Sequence, residues 1–272
     1  MPVSAAPAGP PIVLSFAASD PTAGAGAQAD LLTIAALGAH PASVLTGVTA
    51  QDTRGIEAWW PLEPEWVDEQ ARTLLEDMRV AAFKIGIVGS PLIAAVIAEI
   101  ISDYPDVPVV LDPLHNVGTG DSFGDEELID ALRELLVPLA TVLTPNGIEA
   151  RRLAEEDDDE RHLGLPECAR RLMDLGAGQV LITGVHERTP QVINTLYGIE
   201  GVIRADAWER LPGGYHGAGD TLAAAIATRL AFGQPLSQAV REAQDFTWHC
   251  LRHGFATGMG QRIPDRFFGM RG

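Results

Sequence analysis

The stretch HGAGDTLAAAIA, residues 216–227, combines three small residues with an apolar run. The run predicts a long buried helix, and Gly217, Ala218 and Gly219 lie where that helix begins. The first turn of a helix carries unpaired N–H groups and a partial positive charge, and small residues let an anion approach them closely. The stretch therefore predicts an anion site made of main-chain amides, with Asp220 beside it in the first turn.

Asp220 has two interpretations on spacing alone. A carboxylate in the first turn is favoured by the helix dipole and needs no further role. The same carboxylate could take a proton from a hydroxyl group that attacks a phosphoryl group. Both interpretations stay open at this point.

The charge of the chain restricts its partners. Asp and Glu together number 37 against 19 Lys and Arg, which gives a net charge of −18 over 272 residues. This excess argues against a nucleic acid or an anionic membrane as partner, because cationic groups supply most of the affinity for either. Lys84 is the only lysine, and its surroundings, AAFKIGIV, are not a phosphate-binding loop of the G-x-x-x-x-G-K type.

Strand and helix patterns alternate along the chain. Apolar runs such as PIVLSFAA, VAAFKIGIV and VPVVLDP predict buried strands. The amphipathic or apolar segments between them predict helices. A hairpin (TPQVINTLYG with EGVIRADAWERL) and two helices close the chain. The fold class predicted is α/β, a three-layer sandwich with a mostly parallel sheet and helices on both faces.

We predict one domain over residues 11–272, preceded by a disordered or extended segment over residues 1–10. The acidic run EEDDDE, residues 155–160, is expected to be a solvated loop. Two distant cysteines exclude a disulfide framework, and neither a signal peptide nor a membrane-spanning apolar run is visible. We therefore expect a soluble cytoplasmic protein.

Ligands of open α/β sheets bind beyond the carboxyl ends of the strands. The residues predicted there are rich in Asp, Asn, Thr and Gln, although ordinary turns use the same residues. Gly24-x-Gly26-x-x-Ala29 also matches a dinucleotide-binding fingerprint, but SDPTA separates its first glycine from the predicted strand end. That separation weakens the dinucleotide interpretation.

Four motifs in this order resemble one family: SDP with GAGAQADL (19–31), TAQDTRG (49–55), LTPN with EA (143–150) and HGAGD (216–220). The chain resembles the hydroxymethylpyrimidine and phosphomethylpyrimidine kinases of thiamin synthesis, which have the ribokinase-like fold, from about residue 11 to 252. The resemblance implies a homodimer, ATP as cosubstrate and Mg²⁺ as cofactor. It also implies phosphorylation of 4-amino-5-hydroxymethyl-2-methylpyrimidine and then of its monophosphate.

The resemblance also implies roles for individual residues. Asp220 would face the acceptor oxygen beside the anion hole of Gly217, Ala218 and Gly219. The pyrimidine would be bound by Gln51, Asp30, Ala18 and Ile87. The Mg²⁺ ion would be organised by Asp112 and Glu149. Asn146, Thr183 and His216 would lie at the ATP end.

Three departures from the family pattern keep alternatives open. Most of these pyrimidine kinases have Cys where Asp220 stands, whereas Asp is typical of related sugar and pyridoxal kinases. Thr183 replaces a lysine that many relatives have, which bears on the second phosphorylation, and Ala18 and Ala23 replace glycines in the first loop. The alternatives are a pyridoxal or pyridoxine kinase of the same fold and a binding protein without turnover. The role of Lys84 and the docking of the tail, GMGQRIPDRFFGMRG, also stay open.

Overall fold

A computed structural model describes residues 9–113, 116–117, 121–122, 126–154, 163–187 and 189–270. The expectations for residues 1–8 and for the acidic run lie outside these residues. The strands are β1 (Ile12–Ser19), β2 (His40–Asp52), β3 (Gly55–Pro61), β4 (Val80–Ile85), β5 (Val109–Leu111), β6 (Asn116–Val117), β7 (Asp121–Ser122), β8 (Val142–Leu143), β9 (Gln179–Ile182), β10 (Gln191–Gly198) and β11 (Gly201–Glu209). The helices are α1 (Gly26–Ala36), α2 (Pro64–Asp77), α3 (Pro91–Ser102), α4 (Glu126–Ala131), α5 (Gly147–Ala154), α6 (Leu165–Asp174), α7 (Ala218–Ala231) and α8 (Leu236–Arg252).

Within the described residues, nine strands form one sheet in the order β11-β10-β9-β8-β5-β4-β1-β2-β3. The neighbouring pairs from β2 through β1, β4, β5 and β8 to β9 are parallel, and the edge pairs are antiparallel. The predicted mostly parallel sheet and the β10–β11 hairpin are confirmed. The sequence analysis did not predict β3, which pairs with β2 as a second hairpin.

Helices cover both faces of the sheet because the central strands are buried on both sides. In β1, Leu14 and Phe16 pack into a core with α2 to α6, whereas Val13 faces a second core with α1, α7 and α8. In β4, Phe83 and Ile85 belong to the first core. The period of two residues in a strand therefore turns Lys84 toward the second face, where α7 lies.

The beginning of α3 follows a capping signal in the sequence, and α7 begins directly after a glycine. Ser90 accepts a hydrogen bond from the Ile93 N–H at 3.2 Å, and Pro91 is the first residue of α3. Gly217 caps α7 in the left-handed conformation, with φ of 81°. No helix in the described part of the chain has the length and apolar character needed to cross a membrane.

The segment after α8 folds back over the rest of the chain. The Gln261 N–H donates to the Thr53 carbonyl at 2.7 Å, in the turn between β2 and β3. The Arg262 carbonyl accepts from the His216 N–H at 2.9 Å, just before α7. The tail thus docks on its own chain, a point that the sequence alone left open.

Candidate active site

A cleft of about 490 Å³ runs along the carboxyl ends of the parallel strands. Its lining contains nearly all the side chains predicted from the sequence to form a site. These are Ala18, Gln51, Ile87, Asp112, Asn146, Glu149, Thr183, His216, Gly217, Ala218, Gly219 and Asp220. Asp30 is the exception. Residues from distant parts of the chain therefore meet at the edge of the sheet where ligands of such folds bind.

The beginning of α7 forms one wall of the cleft, against the loop between β1 and α1. A Cβ atom on Gly217 would lie 1.8 Å from the Gly24 carbonyl oxygen, and one on Gly219 would lie 3.3 Å from Asp112 Oδ2. Gly217 therefore permits a close approach of two backbone segments that a side chain would prevent, and Gly219 leaves room beside Asp112. The predicted cradle of small residues at a helix N-terminus is present, and it opens onto the cleft.

Asp220 is held by a cation and by a main-chain amide. Its Oδ1 lies 2.8 Å from Lys84 Nζ, and its Oδ2 accepts from the Gly26 N–H at 3.1 Å. Burial by itself raises the pKa of Asp220, but the charge and hydrogen bond of Lys84, together with the Gly26 N–H and the charge of Arg266, lower it below its ordinary value. The side chain is consequently a carboxylate at neutral pH, able to accept a hydrogen bond from a substrate hydroxyl.

The placement of Asp30 corrects the sequence-based assignment. Asp30 was predicted to contact the pyrimidine, but its side chain is fully buried and does not line the cleft. Its Oδ2 lies 2.9 Å from Lys84 Nζ and 2.5 Å from the hydroxyl of Ser15. Ser15 and Lys84 are neighbours in the β1–β4 register. The Asp30 carboxylate, which α1 carries, therefore faces the sheet and not the cleft.

Asp112 follows β5 and has one oxygen directed at the cleft wall near Gly219. Its Oδ1 accepts from the Thr144 hydroxyl at 3.2 Å, whereas its buried Oδ2 has no hydrogen-bond partner among the described residues. Burial and, to a lesser degree, the Asp220 charge raise the pKa of Asp112 to about 7, against the opposing effect of Lys84. A buried carboxylate oxygen without a donor suits a divalent cation, so Asp112 fits the Mg²⁺ site that the sequence predicts.

Asn146 and Glu149 form a capping box at the beginning of α5. The Asn146 side-chain oxygen accepts from the N–H groups of Ile148 (2.9 Å) and Glu149, and Glu149 Oε2 accepts from the Asn146 N–H at 2.8 Å. The described residues contain no cluster of three His, Cys, Asp or Glu side chains suited to a metal. Mg²⁺ commonly binds through one or two carboxylates together with phosphate oxygens, and the pair Asp112 and Glu149 is compatible with that pattern.

Gln51 lies at the other end of the cleft, near the end of β2. Its Oε1 is buried and has no hydrogen-bond partner among the described residues. The hairpin of β2 and β3 brings Ile56 onto the same wall, and Ala18 and Ile87 complete an apolar surround. Trp59 of β3 packs on Gly89, where a Cβ would come within 2.4 Å of its ring. This end therefore offers an amide and apolar walls, as a flat polar ring requires.

Two side chains that the sequence analysis did not assign, Asp20 and Arg266, connect the loops around the anion site. His216 Nε2 lies 2.8 Å from Asp20 Oδ2, so the ring at the predicted ATP end contacts the β1–α1 loop. Arg266 is buried and donates to the Gly24 carbonyl at 2.6 Å and to the Thr221 hydroxyl at 3.2 Å. Burial lowers the pKa of Arg266, and nearby carboxylates oppose this effect. The sequence analysis gave no signal for these contacts, because they join residues that are far apart along the chain.

Comparison with known proteins gives a consistent result. The family model of phosphomethylpyrimidine kinase matches residues 20–265. The chain is 38% identical to a hydroxymethylpyrimidine/phosphomethylpyrimidine kinase of Streptomyces coelicolor, over 93% of both chains. It is 33% identical to the protein of the same description in Escherichia coli, over 92% of this chain and 94% of that one.

Solved structures show the same architecture. A phosphomethylpyrimidine kinase of Clostridium difficile superposes with a TM-score of 0.74 and 30% identity, covering 87% of this chain and 97% of that one. Pyridoxal kinase of Staphylococcus aureus gives a TM-score of 0.86 and 26% identity, covering 97% and 96%. The ribokinase-like α/β fold predicted from the sequence is confirmed. The sheet and the cleft of this chain agree with that fold, and the family model matches nearly the whole length of the chain. This chain therefore belongs to the phosphomethylpyrimidine kinase family.

Proposed function

We propose that the chain transfers the γ-phosphoryl group of ATP to the hydroxymethyl oxygen of 4-amino-5-hydroxymethyl-2-methylpyrimidine, with residues 11–272 acting as one kinase domain. The observation that carries the proposal is the shared cleft of the Gly217–Gly219 amides, the Asp220 carboxylate and Gln51. The family match supports the choice of substrate, and relatives solved with ADP and AMP-PCP support ATP as the donor.

The acceptor end is assigned to Gln51, Ala18 and Ile87. The aminopyrimidine carries an amine beside a ring nitrogen, and the Gln51 amide offers an acceptor and a donor to match them. Its buried Oε1 lacks a protein donor within the described residues and would accept from the exocyclic amine. Ala18 and Ile87 would pack on the ring faces.

The chemical step is assigned to Asp220 and the first turn of α7. The ionised Asp220 would accept a hydrogen bond from the hydroxymethyl group, orient its oxygen for in-line attack, and take its proton as the bond to phosphorus forms. The amides of Gly217, Ala218 and Gly219 would stabilise the charge that develops on the transferred oxygens. Catalysis in this scheme is mostly positioning and electrostatics.

The nucleotide end is assigned to Asn146, Thr183 and His216, with Asp112 and Glu149 as the residues that would hold Mg²⁺. The ion, when bound, would neutralise phosphate charge. The unshared Asp112 Oδ2 supports this assignment. Asn146 would act by fixing Glu149 through the capping box, and His216 by fixing the loop that carries Asp20.

The monophosphate product is proposed as a second acceptor in the same cleft. Thr183 stands where many relatives have a lysine, so the second transfer would depend more on main-chain amides. An ADP-release assay with the hydroxymethylpyrimidine, its monophosphate, pyridoxal and ribose tests the whole assignment. We expect turnover with the first two compounds. Failure of the hydroxymethylpyrimidine to give ADP would refute the proposal, and silence with all four would favour a binding protein.

A pyridoxal or pyridoxine kinase is the second candidate. Asp220, which departs from the cysteine of most pyrimidine kinases, favours it, as does the extent of the pyridoxal kinase superposition (97% of this chain against 87%). In the same assay this candidate requires a higher kcat/KM for pyridoxal than for the hydroxymethylpyrimidine.

We extend the proposal to a homodimer in the cytoplasm. Large apolar side chains remain exposed on and after the edge strand β3: Trp60 is 54% exposed and Trp66 60%. Both cysteines, Cys168 and Cys250, are buried thiols and not halves of a disulfide, as is usual in a reducing compartment. Light scattering of the purified chain should give twice the mass of 28.9 kDa, and a monomer mass would refute the dimer.

A further inference from the structure

Lys84 is the one lysine of the chain, and none of its side chain is exposed. It does not line the cleft, so it cannot contact a bound substrate. Its ammonium instead joins two helices, because Nζ lies 2.9 Å from Asp30 Oδ2 of α1 and 2.8 Å from Asp220 Oδ1 of α7. Its charge also acts on Asp112 at a distance, but its direct contacts with acidic side chains are with these two carboxylates.

The packing around Lys84 leaves its ammonium little freedom. A Cβ atom on Gly86 would lie 2.6 Å from Nζ, so the glycine is what admits the ammonium at this place. The Asp30 carboxylate is itself fixed by the Ser15 hydroxyl. Lys84 is thus anchored on one side by Asp30, and its other side presents a fixed donor to Asp220.

Stability alone does not explain this arrangement. Removing a lysine and two carboxylates from water costs several kcal/mol per ion, and a buried ion pair of this kind is often no more stable than packed apolar side chains. A methionine with an asparagine at position 30 would fill similar space and leave Asp220 as the one charged member of the group. What the charged arrangement adds is a defined orientation for Asp220, the one member of the group that lines the cleft.

The other groups near Asp220 do not replace Lys84. The Gly26 N–H binds the second oxygen, Oδ2, and leaves Oδ1 to Lys84. Arg266 acts on Asp220 at a distance, since its hydrogen bonds go to Ala23, Gly24 and Thr221. Asp112 and Asp30 are carboxylates and repel it. Without the ammonium, the Asp220 side chain would be held by a single main-chain hydrogen bond.

We infer that Lys84 is a positioning residue for phosphoryl transfer: its ammonium, anchored by Asp30, holds the Asp220 carboxylate in the orientation that receives the acceptor hydroxyl. This inference rests on the proposed function, because it concerns the same carboxylate and the same step. It assigns to Lys84 no contact with ATP or with the acceptor.

The test removes the ammonium together with the charge of Asp30, so that two buried carboxylates are not left without a cation. Lys84→Met alone would leave Asp30 and Asp220 facing each other, so the informative variant is Lys84→Met/Asp30→Asn, compared with Asp30→Asn. We expect the added Lys84→Met change to lower kcat by about 100-fold, the size of effect that a misplacement of about 1 Å can produce. The Kd of ATP, measured by calorimetry, should change less than about twofold, because Lys84 lies outside the cleft.

A second comparison separates positioning from a general structural role. In an Asp220→Asn background, the same Lys84→Met change should lower kcat by less than about threefold, since the carboxylate that it orients is gone. An equal loss of kcat in both backgrounds would overturn the inference, as would unchanged kcat in Lys84→Met/Asp30→Asn. Parallel losses of kcat and ATP affinity would also overturn it, because they would indicate a distorted cleft.

Crystal structures of Asp30→Asn and Lys84→Met/Asp30→Asn give a readout that needs no turnover. The Asp220 side chain should keep its orientation in the first variant and rotate in the second. If the wild-type chain phosphorylates none of the acceptors, the proposed function fails, and the crystal structures still decide whether Lys84 orients Asp220. An unmoved Asp220 in the second variant would overturn the inference.

Discussion

Replacing Gly217 with alanine would test whether the contact between two backbone segments builds the anion site. Gly217 has φ of 81°, a conformation that costs alanine about 1–2 kcal/mol. The new Cβ would also lie 1.8 Å from the Gly24 carbonyl oxygen, and such contacts do not fall below 3.0 Å in real structures. The β1–α1 loop and the beginning of α7 would therefore have to separate by more than an ångström.

Gly233 provides a matched control at the other end of α7. Its φ is 77°, and a Cβ there would meet nothing within 4 Å. Gly233→Ala therefore carries the conformational cost alone, about 1–2 kcal/mol. Gly217→Ala adds an overpacking cost of about 1–3 kcal/mol, for a total of about 2–5 kcal/mol. For a chain of this size each kcal/mol lowers Tm by about 2–4 °C.

Thermal unfolding and steady-state kinetics of the two variants would measure these effects. Gly217→Ala should melt several degrees below Gly233→Ala and lose about 100-fold in kcat, because separation of the two segments displaces the amides and the Gly26 N–H that binds Asp220. Gly233→Ala should retain the kcat of the wild-type chain. Equal melting temperatures together with a retained kcat for Gly217→Ala would show that the cradle does not depend on this contact.

Three further changes probe the other parts of the site. Asp220→Asn should lower kcat by about 10²–10⁴-fold, as expected for loss of a general base, with the Kd of ATP nearly unchanged; normal turnover would leave Asp220 as a helix-end carboxylate only. Gln51→Ala should raise KM for the pyrimidine more than for ATP, and equal changes in both would remove Gln51 from the ring site. Arg266→Met should lower the free energy of unfolding by about 2–4 kcal/mol, because it leaves buried carbonyl groups without donors; the same substitution at the exposed Arg170 should have a much smaller effect. Urea unfolding would measure the stability of both arginine variants. Similar midpoints would contradict the expectation that the hydrogen bonds of Arg266 stabilise the loops around the anion site.

Much of this architecture could be predicted because strands buried on both faces and amphipathic helices leave distinct periods in the sequence. The parallel sheet, the capping of α3 by Ser90 and the cradle before α7 all followed from such local signals. Strand β3 did not, since TRGIEAWWP alternates poorly and its pairing partner decides its conformation. The tail gave no local signal at all, because its hydrogen bonds go to loops far away in sequence.

The site residues also differ in whether the sequence located them correctly. Asp220 was predicted beside an anion site because it lies in the first turn of a predicted helix, whereas the roles of Gln51 and Asp112 were implied by the family resemblance. Asp30 was misplaced, since the turn of α1 that carries it faces the sheet and not the cleft. The role of Lys84 stayed open in the sequence analysis, because only the assembled layers bring two carboxylates from separate helices next to its ammonium.

The docking of the segment after α8 has a consequence for the order in which the protein folds. Arg266 binds the loop between β1 and α1, Gln261 binds the turn between β2 and β3, and Arg262 binds the residues before α7. The sheet and its helices can form from parts of the chain that are synthesised earlier, but these three loops gain their last hydrogen bonds only after residues 261–266 have docked. A chain cut before residue 261 would therefore contain every strand and helix described above, yet it would lack the contacts that hold the loops around the cleft.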